Sequence, residues 1–84
     1  MKVYILTHMD VDTIDELLIF NKFKAMLDCN IKKSEENAAT FPYKEGKTWQ
    51  LKMVEILKQF TEAELDLNNG NRHLGYYEMW SRDI

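Results

Sequence analysis

The stretch from Ile14 to Lys33 limits the folds that this chain can adopt. It reads IDELLIFNKFKAMLDCNIKK, and as one helix it would be apolar on nearly every side, because a stripe through Phe23 and Leu27 accounts for only part of its apolar residues. A surface helix carries its apolar residues on one stripe. We therefore prefer a strand over 16–20 and a helix that begins after Asn21, since Asn is a favoured N-cap residue. One long helix remains the alternative.

The remaining elements follow from simpler patterns. The opening KVYILTHM, residues 2–8, is rich in strand-forming residues, and LGYYEMWSRDI predicts the last strand. The clearest helix is TWQLKMVEILKQFTEAEL, residues 48–65, and residues 34–47 hold the only proline and predict a connector. The apolar stripe expected for that helix consists of Trp49, Met53, Ile56, Leu57 and Phe60. The fold class is therefore α+β, a small antiparallel sheet packed by two helices in the order β-β-α-α-β, or β-α-α-β with the long helix.

Length and composition predict one domain over residues 1–84. Apolar residues make up 45% and charged residues 30%, which is typical of a globular chain. The single cysteine, Cys29, excludes an internal disulfide and favours a reduced, cytoplasmic setting. The opening apolar run is too short for a signal peptide or a membrane span. We therefore expect no membrane association.

Three segments of the chain resemble a known group of proteins. They are the opening MKVYILTH, the step IFNKFKAM with its Lys24–Ala25 pair, and the closing YYEMW. Together they are similar to a loose group of very small phage and bacterial proteins of uncharacterised function. The resemblance implies a fold and a phage-like origin, and it brings no functional residues with it.

An acidic stretch raises the question of a metal site. MDVDTIDE places Asp10, Asp12, Asp15 and Glu16 close together after His8. Calcium loops need Asp, Asn or a similar ligand at the fifth position and Gly at the sixth, and a loop starting at Asp10 has neither. We interpret the stretch as a solvated loop that can also form a charged contact surface, and we predict neither a metal site nor a cofactor.

The chain shows no convincing catalytic motif. His8 followed by Asp10 and Asp12 lacks the further ligands of a metal hydrolase, and only His73 is available elsewhere. A mid-helix Cys29 is expected to behave as a small hydrophobe. We therefore predict that the protein is not an enzyme.

The alternation of side chains along the last strand predicts an interaction surface. On the last strand Tyr76, Glu78, Trp80 and Arg82 share one face, whereas Tyr77 and Met79 share the other. Two helices cover only one face of a small sheet, so the opposite face would expose its aromatics to a partner. The predicted partner-binding residues are Tyr4, Tyr76, Glu78, Trp80 and Arg82. Alternatively, residues 34–47, with Phe41, Pro42 and Tyr43, fold back over that face, and a homodimer is compatible with an exposed face.

Two functions compete on this basis. The first is a non-enzymatic binding protein, and the phage resemblance implies an accessory factor that binds and inhibits a host protein, for example one of a defence system. The alternative is a nucleic-acid-binding regulator that uses the sheet aromatics with the helix-one lysines, namely Lys22, Lys24, Lys32 and Lys33. A net charge of −3 disfavours nucleic acid as the partner.

Overall fold

The computed structural model describes all 84 residues as an α+β fold. The strands are β1 (Lys2–Asp10), β2 (Thr13–Phe20), β3 (Asn71–Leu74) and β4 (Tyr77–Asp83), and the helices are α1 (Phe23–Ala39), α2 (Lys44–Lys58) and α3 (Glu62–Leu67). The strands form one antiparallel sheet in the order β2-β1-β4-β3. The predicted fold class is confirmed, with one more strand and one more short helix than expected.

The ambiguous stretch from Ile14 to Lys33 divides into a strand and a helix. β2 pairs along β1, so the alternative of one long first helix is wrong. β2 begins three residues earlier than predicted because it pairs with the end of β1 across a tight turn. α1 begins at Phe23 with Lys22 in the N-cap position, and no side chain caps it, so the predicted Asn21 cap is wrong.

Residues 34–47 do not form a long connector. α1 continues to Ala39 and α2 starts at Lys44, which leaves only residues 40–43 between them. Thr40 ends α1 by donating its hydroxyl to the carbonyl oxygens of Glu36 and Asn37. The alternative in which residues 34–47 fold back over the face of the sheet opposite the helices is therefore wrong.

The predicted helix over residues 48–65 is two helices. α2 ends at Lys58, and Thr61 caps α3 by accepting a hydrogen bond from the Glu64 amide at 3.3 Å. α2 packs mainly on α1, and its buried residues are Val54 and Leu57. The predicted stripe is thus wrong at two positions, because Trp49 and Ile56 are exposed.

The last predicted strand is a hairpin, since Gly75 and Tyr76 form a turn between β3 and β4. Gly75 adopts φ +78°, and a Cβ there would lie 2.5 Å from Ser34 Oγ, so the turn requires glycine. The core lies between the helices and one face of the sheet, here called the helix-covered face. Its buried residues are Tyr4, Leu6, Met26, Leu27, Leu57, Phe60, Leu65, Leu74, Tyr77 and Met79.

Candidate functional site

The face of the sheet opposite the helices, here called the outer face, carries a continuous set of apolar side chains. Residues paired directly across antiparallel strands point to the same side. The register therefore sets Trp80 beside Ile5 and Ile5 beside Ile19. The neighbouring rows are Arg82 with Val3, and Glu78 with Thr7 and Leu17.

A β-bulge extends this apolar set. His8 pairs with Glu16 and Met9 pairs with Ile14, so Asp15 is an extra residue of β2 without an opposite partner. The extra residue shifts the in–out alternation of the β2 side chains by one position. Two residues separated by an odd number of positions across the bulge can therefore point to the same side. Ile14 and Leu17, three positions apart, therefore line the same groove beside Trp80.

The outer face is open to solvent. The exposed fractions are 65% for Ile19, 53% for Leu17, 52% for Ile14 and 51% for Met9. Scattered exposed apolar residues are ordinary, but neighbouring ones on a regular sheet form a patch. No segment of the chain shields these side chains.

Trp80 is held in place at the centre of the outer face. Its indole Nε1 donates to Thr7 Oγ1 at 2.9 Å, and the guanidinium of Arg82 lies 4.9 Å from the ring centroid. Arg82 Nη1 in turn donates to the backbone oxygens of Gly70 and Ser81 at 3.2 and 2.7 Å. An aromatic ring that is already ordered loses little conformational entropy when a partner binds.

Glu78 lies two residues from Trp80 on the same face. Its carboxylate accepts a hydrogen bond from Asn71 Nδ2 at 2.9 Å. Arg82 and Glu78 therefore set opposite charges on the two sides of Trp80. This arrangement of an apolar patch with flanking charges is typical of protein interfaces.

Two of the predicted partner-binding residues lie elsewhere. Tyr4 is buried on the helix-covered face and donates its hydroxyl to Glu62, and this hydrogen bond raises the pKa of the phenol. Tyr76 does not share a face with Trp80, because it belongs to the turn and β4 begins after it. Its ring stacks on His8 at 4.2 Å, with Lys33 Nζ 5.2 Å from its centroid.

The acidic residues do not lie in one loop. Asp10 ends β1, Asp12 lies in the turn, and Asp15 and Glu16 belong to β2. Asp15 Oδ1 lies 2.7 Å from His8 Nδ1, and Glu16 accepts a hydrogen bond from the Tyr77 hydroxyl. The interpretation as a solvated loop is wrong for the strand residues, and no three His, Cys, Asp or Glu side chains converge as metal ligands.

The other candidate chemical groups are dispersed. His73 lies on β3 beside a shallow depression that also involves His8 and Glu78. Cys29 packs against the core from α1, and burial raises the pKa of its thiol. A raised pKa keeps a thiol protonated and poorly nucleophilic.

Sequence reasoning missed the apolar residues of β2. Ile14, Leu17 and Ile19 supply much of the outer face, whereas the predicted surface was built from the last strand alone. The alternation of Leu17 and Ile19 within the predicted strand is a signal that they share a face. The addition of Ile14 could not be read from alternation, because it depends on the bulge.

Comparisons with known proteins identify no relative, so the function is inferred from the fold and the outer face. The chain matches no protein-family model, no curated protein and no solved structure. None of its helices combines the length and the apolar character that crossing a bilayer requires. The class that fold and site define is a small α+β domain with one apolar sheet face free of helices.

Proposed function

We propose that this chain is a non-enzymatic binding protein that contacts another protein through its outer face. The observation that carries the proposal is the row of exposed apolar residues on β2, next to an ordered tryptophan. Burying apolar area on binding contributes roughly 25 cal/mol per Å² before the costs of association. Neighbouring exposed apolar residues next to an ordered aromatic ring are typical of surfaces that bind another protein.

The chemistry at the centre of the face supports the same proposal. Trp and Arg are among the residue types most enriched at interface positions that dominate binding energy. Here Trp80 and Arg82 are stacked on each other and surrounded by aliphatic side chains. We propose that Trp80 is the anchor and that Glu78 and Arg82 orient the partner by charge.

The arrangement supports protein as the partner rather than nucleic acid. A nucleic-acid surface needs aromatic and basic residues on one side of the molecule. Lys24 and Lys32 are exposed on α1, on the helix-covered side, whereas Trp80 lies on the outer face. Lys24 is also paired with Asp28 at 3.3 Å.

The narrower proposal concerns the identity of the partner. The resemblance to small phage proteins supports a host protein as the target, with inhibition of that protein, such as a defence factor, as the outcome. The host cytoplasm would then be the site of action. This step rests on the resemblance, whereas the choice of surface rests on the outer face.

The proposal is tested by capture from a bacterial lysate. The bait is the tagged chain, and the variant Ile19→Glu places a charge in the apolar row. Ile56→Glu is the matched control, because Ile56 is 53% exposed on α2, away from the outer face. We expect the specifically captured proteins, quantified by mass spectrometry, to be lost with Ile19→Glu and kept with Ile56→Glu. Equal capture by both variants would show that the outer face is not the binding surface.

A further inference from the structure

We infer that a second copy of this chain occupies the outer face in the free protein, related to the first by a two-fold axis. The axis runs across the strands through the row of Ile19, Ile5 and Trp80, and lies between the two sheets. The inference rests on the proposed function, since it names an occupant for the same face. Two sheets packed in this way lie about 10 Å apart with their strands nearly aligned.

Charge complementarity on the outer face carries the inference. In β4, Arg82 lies one row to one side of Trp80 and Glu78 lies one row to the other side. A two-fold rotation about the Trp80 row exchanges those rows. Each Arg82 then faces Glu78 of the second copy, and the symmetry forms this pair twice. If the axis ran through any other row, at least one of Arg82 and Glu78 would not face a residue of opposite charge.

The apolar ends of the face match under the same rotation. Met9 and Ile14 lie beyond Glu78, and both are about half exposed. Met1 and Ile84 lie beyond Arg82, joined by backbone hydrogen bonds of 2.7 and 2.9 Å, and both are exposed. The rotation keeps each strand over its own copy, so on β1 Met9 of one copy faces Met1 of the other. The face is therefore self-complementary in both charge and polarity.

The edges of the sheet are less suited to pairing two copies. The bulge at Asp15 interrupts the regular edge of β2, and bulges are a common means of blocking edge pairing. The opposite edge, β3, is only four residues long and polar. A second copy is therefore better placed on the face than on an edge.

The small area of the outer face predicts that the two copies associate weakly. Three strands about 4.8 Å apart, with about nine residues at 3.3 Å each, span roughly 430 Å². A standard interface buries about 800 Å² on each partner, so this dimer belongs among weak complexes. A weak dimer suits a binding protein, because a target with a larger complementary surface displaces the second copy.

The test combines self-association with exchange of the two charges. Wild type, Arg82→Glu, Glu78→Arg and an equimolar mixture of the two variants are sedimented at concentrations up to about 1 mM. We expect wild type to dimerise and each single variant to weaken dimerisation by about tenfold or more, since like charges then face each other. In the mixture, every facing pair is again opposite in charge, so we expect a heterodimer as tight as the wild-type dimer.

Either of two results would overturn the inference. One is a wild-type chain that stays monomeric throughout, and the other is a mixture that associates no better than its components. If a charge variant fails to fold, Ile19→Glu replaces it, because Ile19 lies near the axis and is largely exposed. Dimerisation is then expected to be lost with Ile19→Glu and kept with Ile56→Glu, and the same behaviour in both variants overturns the inference.

The outcomes separate this inference from the proposed function. A monomeric wild type whose lysate capture is lost with Ile19→Glu overturns the dimer and leaves the proposed function standing. In the opposite case, the dimer responds to the charge exchange as expected but lysate capture is unchanged by Ile19→Glu. This result would overturn the binding of a different protein at the outer face and would support the second copy as its occupant.

Discussion

At the scale of single residues, adjacent positions of β4 have opposite environments. Met79 is fully buried among the helices, while Trp80 is partly exposed and held by Thr7 and Arg82. This agrees with the alternation expected from the sequence. Substitutions at the two positions should therefore affect different properties.

We predict that Met79→Ala lowers the free energy of unfolding by about 2–5 kcal/mol, because it leaves a cavity in a packed core. Trp80→Ala should lower it by only about 1–2 kcal/mol, since it loses the hydrogen bond to Thr7 and the contact with Arg82 but leaves the core unchanged. Self-association or partner capture should instead be lost with Trp80→Ala. Urea unfolding and sedimentation of both variants test this pair. A Trp80→Ala chain that unfolds while Met79→Ala behaves as wild type would mean that the faces are assigned backwards.

A buried polar pair on α1 holds the β3–β4 turn. Asn30 donates from Nδ2 to the Leu74 oxygen at 3.0 Å, and its Oδ1 accepts from the Tyr77 amide. Ser34 Oγ accepts from the Tyr76 amide at 2.8 Å and donates to Asn30 Oδ1. The turn residues thus satisfy their backbone groups through a helix that lies more than 40 positions away in sequence.

We predict that Asn30→Ala lowers the free energy of unfolding by about 1–3 kcal/mol, because the Leu74 oxygen and the Tyr77 amide each lose a buried hydrogen bond. Asn21→Ala is the matched control, since Asn21 is exposed between β2 and α1. Its effect should stay within about 0.5 kcal/mol. Equal unfolding midpoints for the two variants in urea would show that the Asn30 hydrogen bonds contribute no net stability.

At the scale of elements, the β1–β2 hairpin contains a strained turn. Asp10 pairs with Thr13, so Val11 and Asp12 alone connect the strands. Val11 has φ +58°, a conformation that β-branched residues rarely adopt and that costs about 1–2 kcal/mol. Two-residue hairpin turns with positive φ at the first position favour glycine there.

We predict that Val11→Gly raises the free energy of unfolding by about 0.5–1 kcal/mol, which is the relieved strain less the added flexibility of the unfolded chain. Asp12→Gly is the control, because Asp12 does not have positive φ, and it should lower stability. Thermal and urea unfolding of the two variants measure the difference. A loss of stability with Val11→Gly would contradict a strained turn.

At the scale of the whole molecule, the acidic tip of the β1–β2 hairpin and the lysines of α1 lie on different surfaces. The exposed carboxylates of Asp10 and Asp12 lie at the hairpin tip, and the lysines of α1 lie on the helix side. The chain carries a net charge of −3. The α1 lysines therefore lie on the opposite side of the sheet from Trp80, whose neighbouring basic residue on the outer face is Arg82 alone.

We predict no measurable binding of DNA or RNA at about 0.15 M salt, where non-specific binders reach 10⁻⁴–10⁻⁶ M. Fluorescence anisotropy with labelled oligonucleotides checks this. Micromolar binding that weakens steeply with salt, and that is lost when Lys32 and Lys33 are replaced by Gln, would instead favour a nucleic-acid-binding regulator. Replacement of Lys44 and Lys47 by Gln would serve as the control in that case, because it removes the same charge from α2 and leaves the α1 lysines unchanged.

Local sequence by itself determined the strand–helix division of the Ile14–Lys33 stretch and the two faces of β4. Both depend on the spacing of apolar residues, which is set by the geometry of an isolated strand or helix. Tertiary structure decided which of those faces is covered. Trp49 and Ile56 match the helical stripe as well as Leu57 does, yet only Leu57 is buried, because α2 packs on its neighbours through Val54 and Leu57. The outer face likewise depends on a register and a bulge, which pair residues distant in sequence and leave no periodic signal.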